Sequence, residues 1–186
     1  MKFLCQNHIM VLCRGMGTIS GTTRWERVWK MRRRDREVTD PAAIAGIIES
    51  CKVMRIGLVD GKSAYIVPVN FGYKVEDGKY TFYFHGAIAG RKYELIRKNG
   101  YCGFEMDEDC GLLRAEEACG HTEFYRSIIG EGACRIVEDP AEVAEGLNLV
   151  MLHNTGKGDW TFPEAALKMT AVIRIDPEMM TAKQNA

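Results

Sequence analysis

The sequence predicts a small antiparallel β-barrel flanked by helices, a mainly β fold of the α+β class. Three observations predict it. Short runs rich in aromatic and β-branched residues are joined by tight hairpin signals, Asp60-Gly61 and Asp77-Gly78. Two helix starts, Asp40-Pro41 and Asp139-Pro140, each put a capping carboxylate before a proline suited to the first helical position. Helix and strand signals interleave in the order αββ(β)αββαβ, with strands short enough to wrap into a barrel.

Taken in order, organised patterning begins near Val38. Ile44, Ile47, Ile48 and Cys51 fall at i, i+3, i+4, i+7 and form one apolar helix stripe. Val53–Val59 reads as a strand, and Ser63–Tyr73 as its hairpin partner. Pro68 lies inside that second strand; it cannot donate a ladder hydrogen bond, so it marks an edge or a break in pairing where backbone groups stay open to a ligand. Lys79–His85 is a third strand, and residues 86–92 open a short helix that ends at Asn99-Gly100. Tyr101–Asp107 is a fourth strand, and residues 108–121 read as an acidic, irregular loop. Glu123–Val137 is a long strand in which Gly130 and Gly132 permit a bulge or bend. The helix after Asp139-Pro140 is lined by Val143, Leu147, Val150 and Met151. Residues 154–159 read as a loop, and Met169–Ile175 as the last strand.

The length of 186 residues suits one domain. With 25 basic and 25 acidic side chains the formal charge is zero, so no global field attracts nucleic acid or anionic lipid, and any anion site must be local. Seven cysteines, an odd number without close spacing, argue for reduced thiols in a cytoplasmic protein. Residues 1–13 are too short and too interrupted for a membrane span and lack a cleavage-site pattern. Residues 1–30 therefore read as an extension outside the fold, disordered or not translated, with Met31 as an alternative start.

The chemistry concentrates in Tyr83-Phe84-His85-Gly86-Ala87-Ile88-Ala89-Gly90-Arg91-Lys92. A strand ends, small residues allow close backbone approach, and a helix begins with two cations in its first turn. Cations at a helix N-terminus oppose the dipole at a cost of roughly 0.3–1 kcal/mol each; a bound phosphate reverses that balance. Both side chains projecting into solvent is the alternative.

These residues resemble the FMN-phosphate segment of the pyridoxamine 5′-phosphate oxidase family: Gly90-Arg91-Lys92 after the small-residue turn, then Glu94-Leu95 and Asn99. Tyr65-Ile66-Val67-Pro68-Val69-Asn70 is similar to its flavin-contacting strand, and Arg126-Ser127-Ile128-Ile129-Gly130-Glu131-Gly132 to its later strand. The nitroimidazole-resistance (Nim-like) branch is more similar still, through Pro68-Val69-Asn70-Phe71-Gly72-Tyr73, Phe84-His85-Gly86-Ala87, Tyr125-Arg126-Ser127-Ile128-Ile129-Gly130 and Thr170-Ala171-Val172-Ile173. The resemblance runs from about Met31 to Ile175.

The resemblance implies a six-stranded antiparallel split barrel that binds FMN at a homodimer interface. It implies that the backbone of Val67, Pro68, Val69 and Asn70 bonds the polar edge of the flavin ring, and that Arg91 and Lys92 hold the phosphate with the backbone of Gly86, Ala87 and Gly90. His85 is implied as the catalytic residue near the flavin, and Arg126 and Ser127 as contributions from the second subunit. It further implies an FMN-dependent oxidoreductase passing electrons from NADH or NADPH to a small flat acceptor such as a nitroaromatic. A flavin-binding or sensing module with little turnover, and pyridoxamine phosphate oxidation, are the alternatives. The latter lacks a basic C-terminal end, and Tyr65 stands where the oxidases place a basic flavin contact. Haem or a deazaflavin in place of FMN is a related alternative. Among other candidates, His153 at a helix C-terminus reads as structural and favoured by the dipole when cationic. Cys110, Cys119 and His121 have poor metal-ligand spacing, so no metal site is assigned.

Overall fold

The computed structural model describes residues 31–185, and the expectations for residues 1–30 lie outside the described residues. Seven strands form one antiparallel sheet: β1 (Glu37–Val38), β2 (Val53–Asp60), β3 (Ser63–Glu76), β4 (Lys79–Ala87), β5 (Tyr101–Leu113), β6 (Thr122–Ile136) and β7 (Thr170–Asn185). Their order is β1-β7-β4-β3-β2-β5-β6, and β6 also pairs with β7, so the six long strands close on themselves. This is the split barrel the sequence predicts, with the two-residue β1 laid along β7 at Lys183 and Ala182. Four helices decorate it: α1 (Pro41–Ser50), α2 (Arg91–Asn99), α3 (Pro140–Thr155) and α4 (Glu164–Lys168). Both Asp-Pro starts behave as read, with Asp40 accepting from the Ala43 N–H and Asp139 from the Glu142 N–H. Among the described residues no helix is long and apolar enough to cross a membrane.

Period-two alternation sorts each strand into two faces. Met54, Ile56, Leu58, Phe71, Phe82, Phe84, Phe104, Met106 and Ile128 fill the barrel interior, each no more than 3% exposed. Side chains of this size, fully buried, contribute roughly 1.5–3 kcal/mol apiece before entropy is counted. Ile47 and Ile48 of α1 and Leu95 and Ile96 of α2 join the same cluster. A second cluster lies outside the barrel wall, where Tyr83 and Val172 meet Leu147 and Val150 of α3. There β3 and α3 touch backbone to backbone: a Cβ on Gly72 would sit 2.2 Å from the Leu149 carbonyl carbon.

Four elements differ from the sequence reading. The acidic stretch after Asp107 is not a loop at first; β5 runs on to Leu113, through an irregularity between Asp109 and Gly111, with Glu108 opposite Arg126 and Asp109 opposite Tyr125. The last strand does not stop at Ile175 but continues to Asn185, past Pro177, which sits opposite Gly132 where the ladder register shifts. A missing N–H costs least at such an irregularity. Finally, α3 extends through Thr155, and α4 was not foreseen.

His153 is structural, as the sequence reading has it, but as a buried ring. Its side chain is 2% exposed, its Nε2 donates to the Cys51 carbonyl at 2.8 Å, and Phe71 packs on its ring. It is not a solvated cation on a helix dipole: burial lowers its pKa below the ordinary imidazole value, so the neutral form is favoured. Lys52 instead reaches the α3 terminus, donating to the His153 carbonyl at 2.9 Å.

Two outcomes follow from this packing. Gly72→Ala should force α3 off β3 and cost about 3 kcal/mol, the upper end for overpacking, read as a loss of denaturation midpoint. The unfolded chain binds a proton on His153 more readily than the folded one, so stability should be complete above about pH 6.5 and fall as pH drops below it. Thermal midpoints from pH 8 to 5 should show that limb, and His153→Gln should make it shallower, leaving the part that the lowered pKa of His85 contributes.

Candidate functional site

The strand pair β3–β4 generates the site by stopping early. Its register runs from Glu76 opposite Lys79 to Phe71 opposite Phe84 and goes no further. Continued, it would set His85 opposite Asn70, Gly86 opposite Val69 and Ala87 opposite Pro68. Instead β3 from Ser63 to Asn70 pairs with β2 alone. Pro68 thus marks a break in pairing, as its missing N–H predicts. Val67, Pro68, Val69 and Asn70 therefore lack a β4 partner, and His85, Gly86 and Ala87 of β4 stay paired with β7 alone. Asn70 is partly committed, its Nδ2 donating to the Lys52 carbonyl at 3.0 Å.

That turn leads into α2 through Gly90, whose φ of 105° a side chain would resist. No side chain caps α2, in contrast to α1 and α3, so its first amide N–H groups have no carboxylate partner. The two cations of its first turn behave differently. Arg91 is exposed and turned to the end of β2, where its Nε donates to Asp60 Oδ2 at 2.8 Å and its Nη2 to Asp60 Oδ1. Asn99 ties the other end of α2 to the same hairpin, donating to the Val59 carbonyl at 2.8 Å.

Lys92 lies the other way. Its Nζ stands over Gly86, 2.8 Å from where a Cβ would be, and 5.4 Å from the centroid of the Phe84 ring. No carboxylate reaches it among the described residues. Burial lowers its pKa from the ordinary lysine value. A half-buried ammonium with only a ring face for company is poorly compensated. Glycine at position 86 is what leaves it room.

His85 points to the opposite face of β4 from Phe84, toward α3 and α4. It makes no hydrogen bond among the described residues, and its pKa is lowered, first by burial and then by the charge of Lys92. It opens onto a cavity of about 190 Å³ whose walls include Leu147, Val150, Met151, Phe162 and Leu167. The cavity forms between β4, α3 and α4, which are far apart along the chain, so no local sequence pattern signals it.

Arg126 and Ser127 are not brought to this cluster within the chain. They pair with Gln184 and Lys183 at the far end of β7, whereas His85 pairs with Val172 near its start. Arg126 is engaged locally, its Nη2 on Glu108, which also accepts from the Ser50 hydroxyl at 2.8 Å. Sequence reasoning also missed Asp60, which carries a hairpin-turn signal and here doubles as the counterion of Arg91.

Comparisons agree with this architecture. A family model described as pyridoxamine 5′-phosphate oxidase matches residues 40–184. No curated protein matches the chain. Among solved structures, a candidate 5-nitroimidazole antibiotic resistance protein from Bacteroides thetaiotaomicron VPI-5482 is 25% identical with a TM-score of 0.69, over 80% of this chain and 86% of that one. The flavocytochrome Anf3 from Azotobacter vinelandii is 19% identical with a TM-score of 0.72, over 87% of this chain and 74% of that one. The FAD and haem binding protein from Mycobacterium smegmatis is 13% identical with a TM-score of 0.67, over 81% and 73%. The last two likenesses concern the fold.

The proximity of Lys92 and His85 has a measurable consequence. His85 should titrate below the ordinary 6.5 in an NMR pH series, and Lys92→Gln should move it upward but not restore it, because burial is the larger cause. An unchanged His85 titration in that variant would show the two charges to be uncoupled.

Proposed function

The chain belongs to the pyridoxamine 5′-phosphate oxidase family, and on that premise we propose that it is an FMN-dependent oxidoreductase that reduces a small flat acceptor such as a nitroaromatic compound. The observation that carries this reading is Lys92. A half-buried ammonium without a counterion among the described residues, over a glycine, beside the uncapped start of α2, fits a phosphate: the anion would supply the missing charge and accept hydrogen bonds from the free N–H groups. Arg91, already oriented by Asp60, adds a second positive charge at the rim. The open edge of β3 from Val67 to Asn70 offers backbone groups for the carbonyl and N–H edge of an isoalloxazine ring. The residues present therefore fit the group, and the resistance protein, the flavocytochrome and the FAD and haem binding protein support the same direction by what their names say of them.

When bound, the flavin supplies the electron transfer; the chain supplies position, charge and a proton. Lys92 and the α2 amides hold the phosphate. Val67–Asn70 would orient the ring through their backbone groups. His85 holds its proton at an imidazole nitrogen close to that region. Because its pKa lies below 6.5, its N–H serves mainly as a hydrogen-bond donor at neutral pH, and a phosphate that offsets the Lys92 charge raises its share of imidazolium.

A second copy of the chain completes this reading. The outward face of β2, β5 and β6 carries exposed Val59 and Ile129, and β3 adds Ile66, around the cross-strand pair Gly57 and Gly103. No helix covers it. Ser127 projects on this face, with Arg126 beside it in sequence, so a homodimer would bring both toward the partner's flavin. Electrons would come from NADH or NADPH, and the compartment would be cytoplasmic.

Purified protein should be yellow, with a flavin rather than a haem spectrum, and should bleach with NADH or NADPH and recover on adding a nitroaromatic acceptor. Lys92→Met should weaken FMN binding on the order of 10- to 100-fold, as loss of one charge-assisted contact requires, and Arg91→Met should weaken it less. Protein that stays colourless in added FMN, or a Lys92→Met variant with native affinity, would refute the assignment.

A further inference from the structure

We propose that the cleft between the second half of α2 and the end of β6 binds a small zwitterion with an apolar body, of the size and charge pattern of an aromatic or branched α-amino acid. The proposal uses none of the residues assigned to the flavin and stands apart from that reading.

The cleft has a volume of about 430 Å³, within the range of roughly 300–1,000 Å³ in which small organic ligands are usually held. One wall is α2, where Tyr93 and Arg97 lie one turn apart on the same helix face, with the buried Ile96 beside them. The other wall is the end of β6, Arg135 and Ile136, with Glu138 just beyond the strand. The two walls are tied together by backbone: the Cys134 N–H donates to the carbonyl of Gly100, the residue that caps α2, at 3.0 Å. The cleft is thus framed by a helix and a strand and not by a loop.

Its charges determine what it can take. Arg135 is spent, since its Nη2 donates to both carboxylate oxygens of Glu142 at 3.0 Å. Arg97 is not: it makes no ion pair among the described residues, and its neighbour is the Tyr93 ring, 5.9 Å from its Cζ. Glu138, on the facing wall, likewise makes no ion pair among the described residues and is exposed. One cleft therefore holds a guanidinium and a carboxylate that do not bond each other. A ligand carboxylate matches the paired N–H donors of Arg97, and a ligand ammonium donates to Glu138. Ile96, Ile136 and the Tyr93 ring then cover the apolar body. A ligand with the carboxylate alone would meet Glu138 as a like charge, and one with the ammonium alone would meet Arg97 as a like charge, so the pair of charges selects the zwitterion.

The test uses the purified full chain with labelled isoleucine methyl groups and L-phenylalanine as the probe. Titration should shift the signals of Ile96 and Ile136 together and saturate with a Kd on the order of 1 mM or tighter. L-Phenylalaninamide, which lacks the carboxylate, and hydrocinnamate, which lacks the ammonium, should each bind about fivefold more weakly. Arg97→Gln should remove the preference over the amide and keep the preference over hydrocinnamate; Glu138→Gln should do the reverse. Both side chains are exposed, so both variants keep the fold. Absence of shifts at Ile96 and Ile136, equal affinity for the three compounds, or preferences that survive in both variants would each overturn the assignment.

Discussion

The ladder between β3 and β4 ends at Phe71 and Phe84, and the geometry of the whole site descends from that termination. Two strands that stay paired have no unsatisfied backbone between them and no room for a ligand. Here β3 keeps its partner on one side through β2 and loses it on the other at Asn70, while β4 swings into Gly86 and the α2 entrance. Unpaired backbone groups are costly when buried and cheap when solvated or bound to a ligand. Pro68 removes one donor from the exposed edge and so lowers the chance of a foreign strand adding to it. The opening therefore persists without either collapsing into the sheet or inviting aggregation.

Electrostatics at the α2 entrance divides between an exposed and a shielded cation. Arg91 and Asp60 form a pair in open solvent, where screening leaves little energy, so its role is to fix direction rather than to stabilise the fold. Lys92 is set where water is partly excluded and its charge acts at higher strength. The same half-burial that depresses its pKa makes an approaching anion more valuable, since the ligand offsets a penalty the folded chain already bears. Asp60 lies beyond the reach of Lys92, so the counterion that quiets one cation leaves the other available.

Much of the framework was legible in the sequence because its signals are local. Asp40-Pro41, Asp139-Pro140, Asp60-Gly61 and Asp77-Gly78 each set backbone geometry within a few residues, and all lie where they were read. The strand-turn-helix at His85–Lys92 was legible for the same reason. What escaped was non-local. Asp176-Pro177 looks like a strand stop, and only the register shift opposite Gly132 explains how β7 passes it and closes the barrel. The acidic run Asp107-Glu108-Asp109 looks like solvated loop until Arg55, Arg126 and Tyr125 are placed across from it. His153 read correctly as structural, but nothing in its neighbours along the chain discloses Cys51 and Phe71 around its ring. The split between Arg91 and Lys92 likewise depends on a carboxylate thirty-odd positions upstream, which no spacing rule connects to α2.

Strand β4 lies at the seam of two cores, and that position determines how firmly the site is held. Phe82 and Phe84 point into the barrel, Tyr83 and His85 to the layer under α3, as the period of two requires. A slip of one residue would drive phenylalanines outward and Tyr83 and His85 into the barrel, at a cost of several buried aromatic side chains, so the register of β4 is among the most strongly specified in the fold. Lys92 is held from the other core: Leu95 and Ile96, one turn along α2, are locked into the barrel interior. The imidazole and the ammonium are thus held against different hydrophobic clusters, on opposite faces of β4, a strand that contributes to both. Their separation is set by side-chain packing on two sides rather than by a loop, which is the preorganisation a site needs if it is to present a fixed charge and a fixed proton to the same bound molecule.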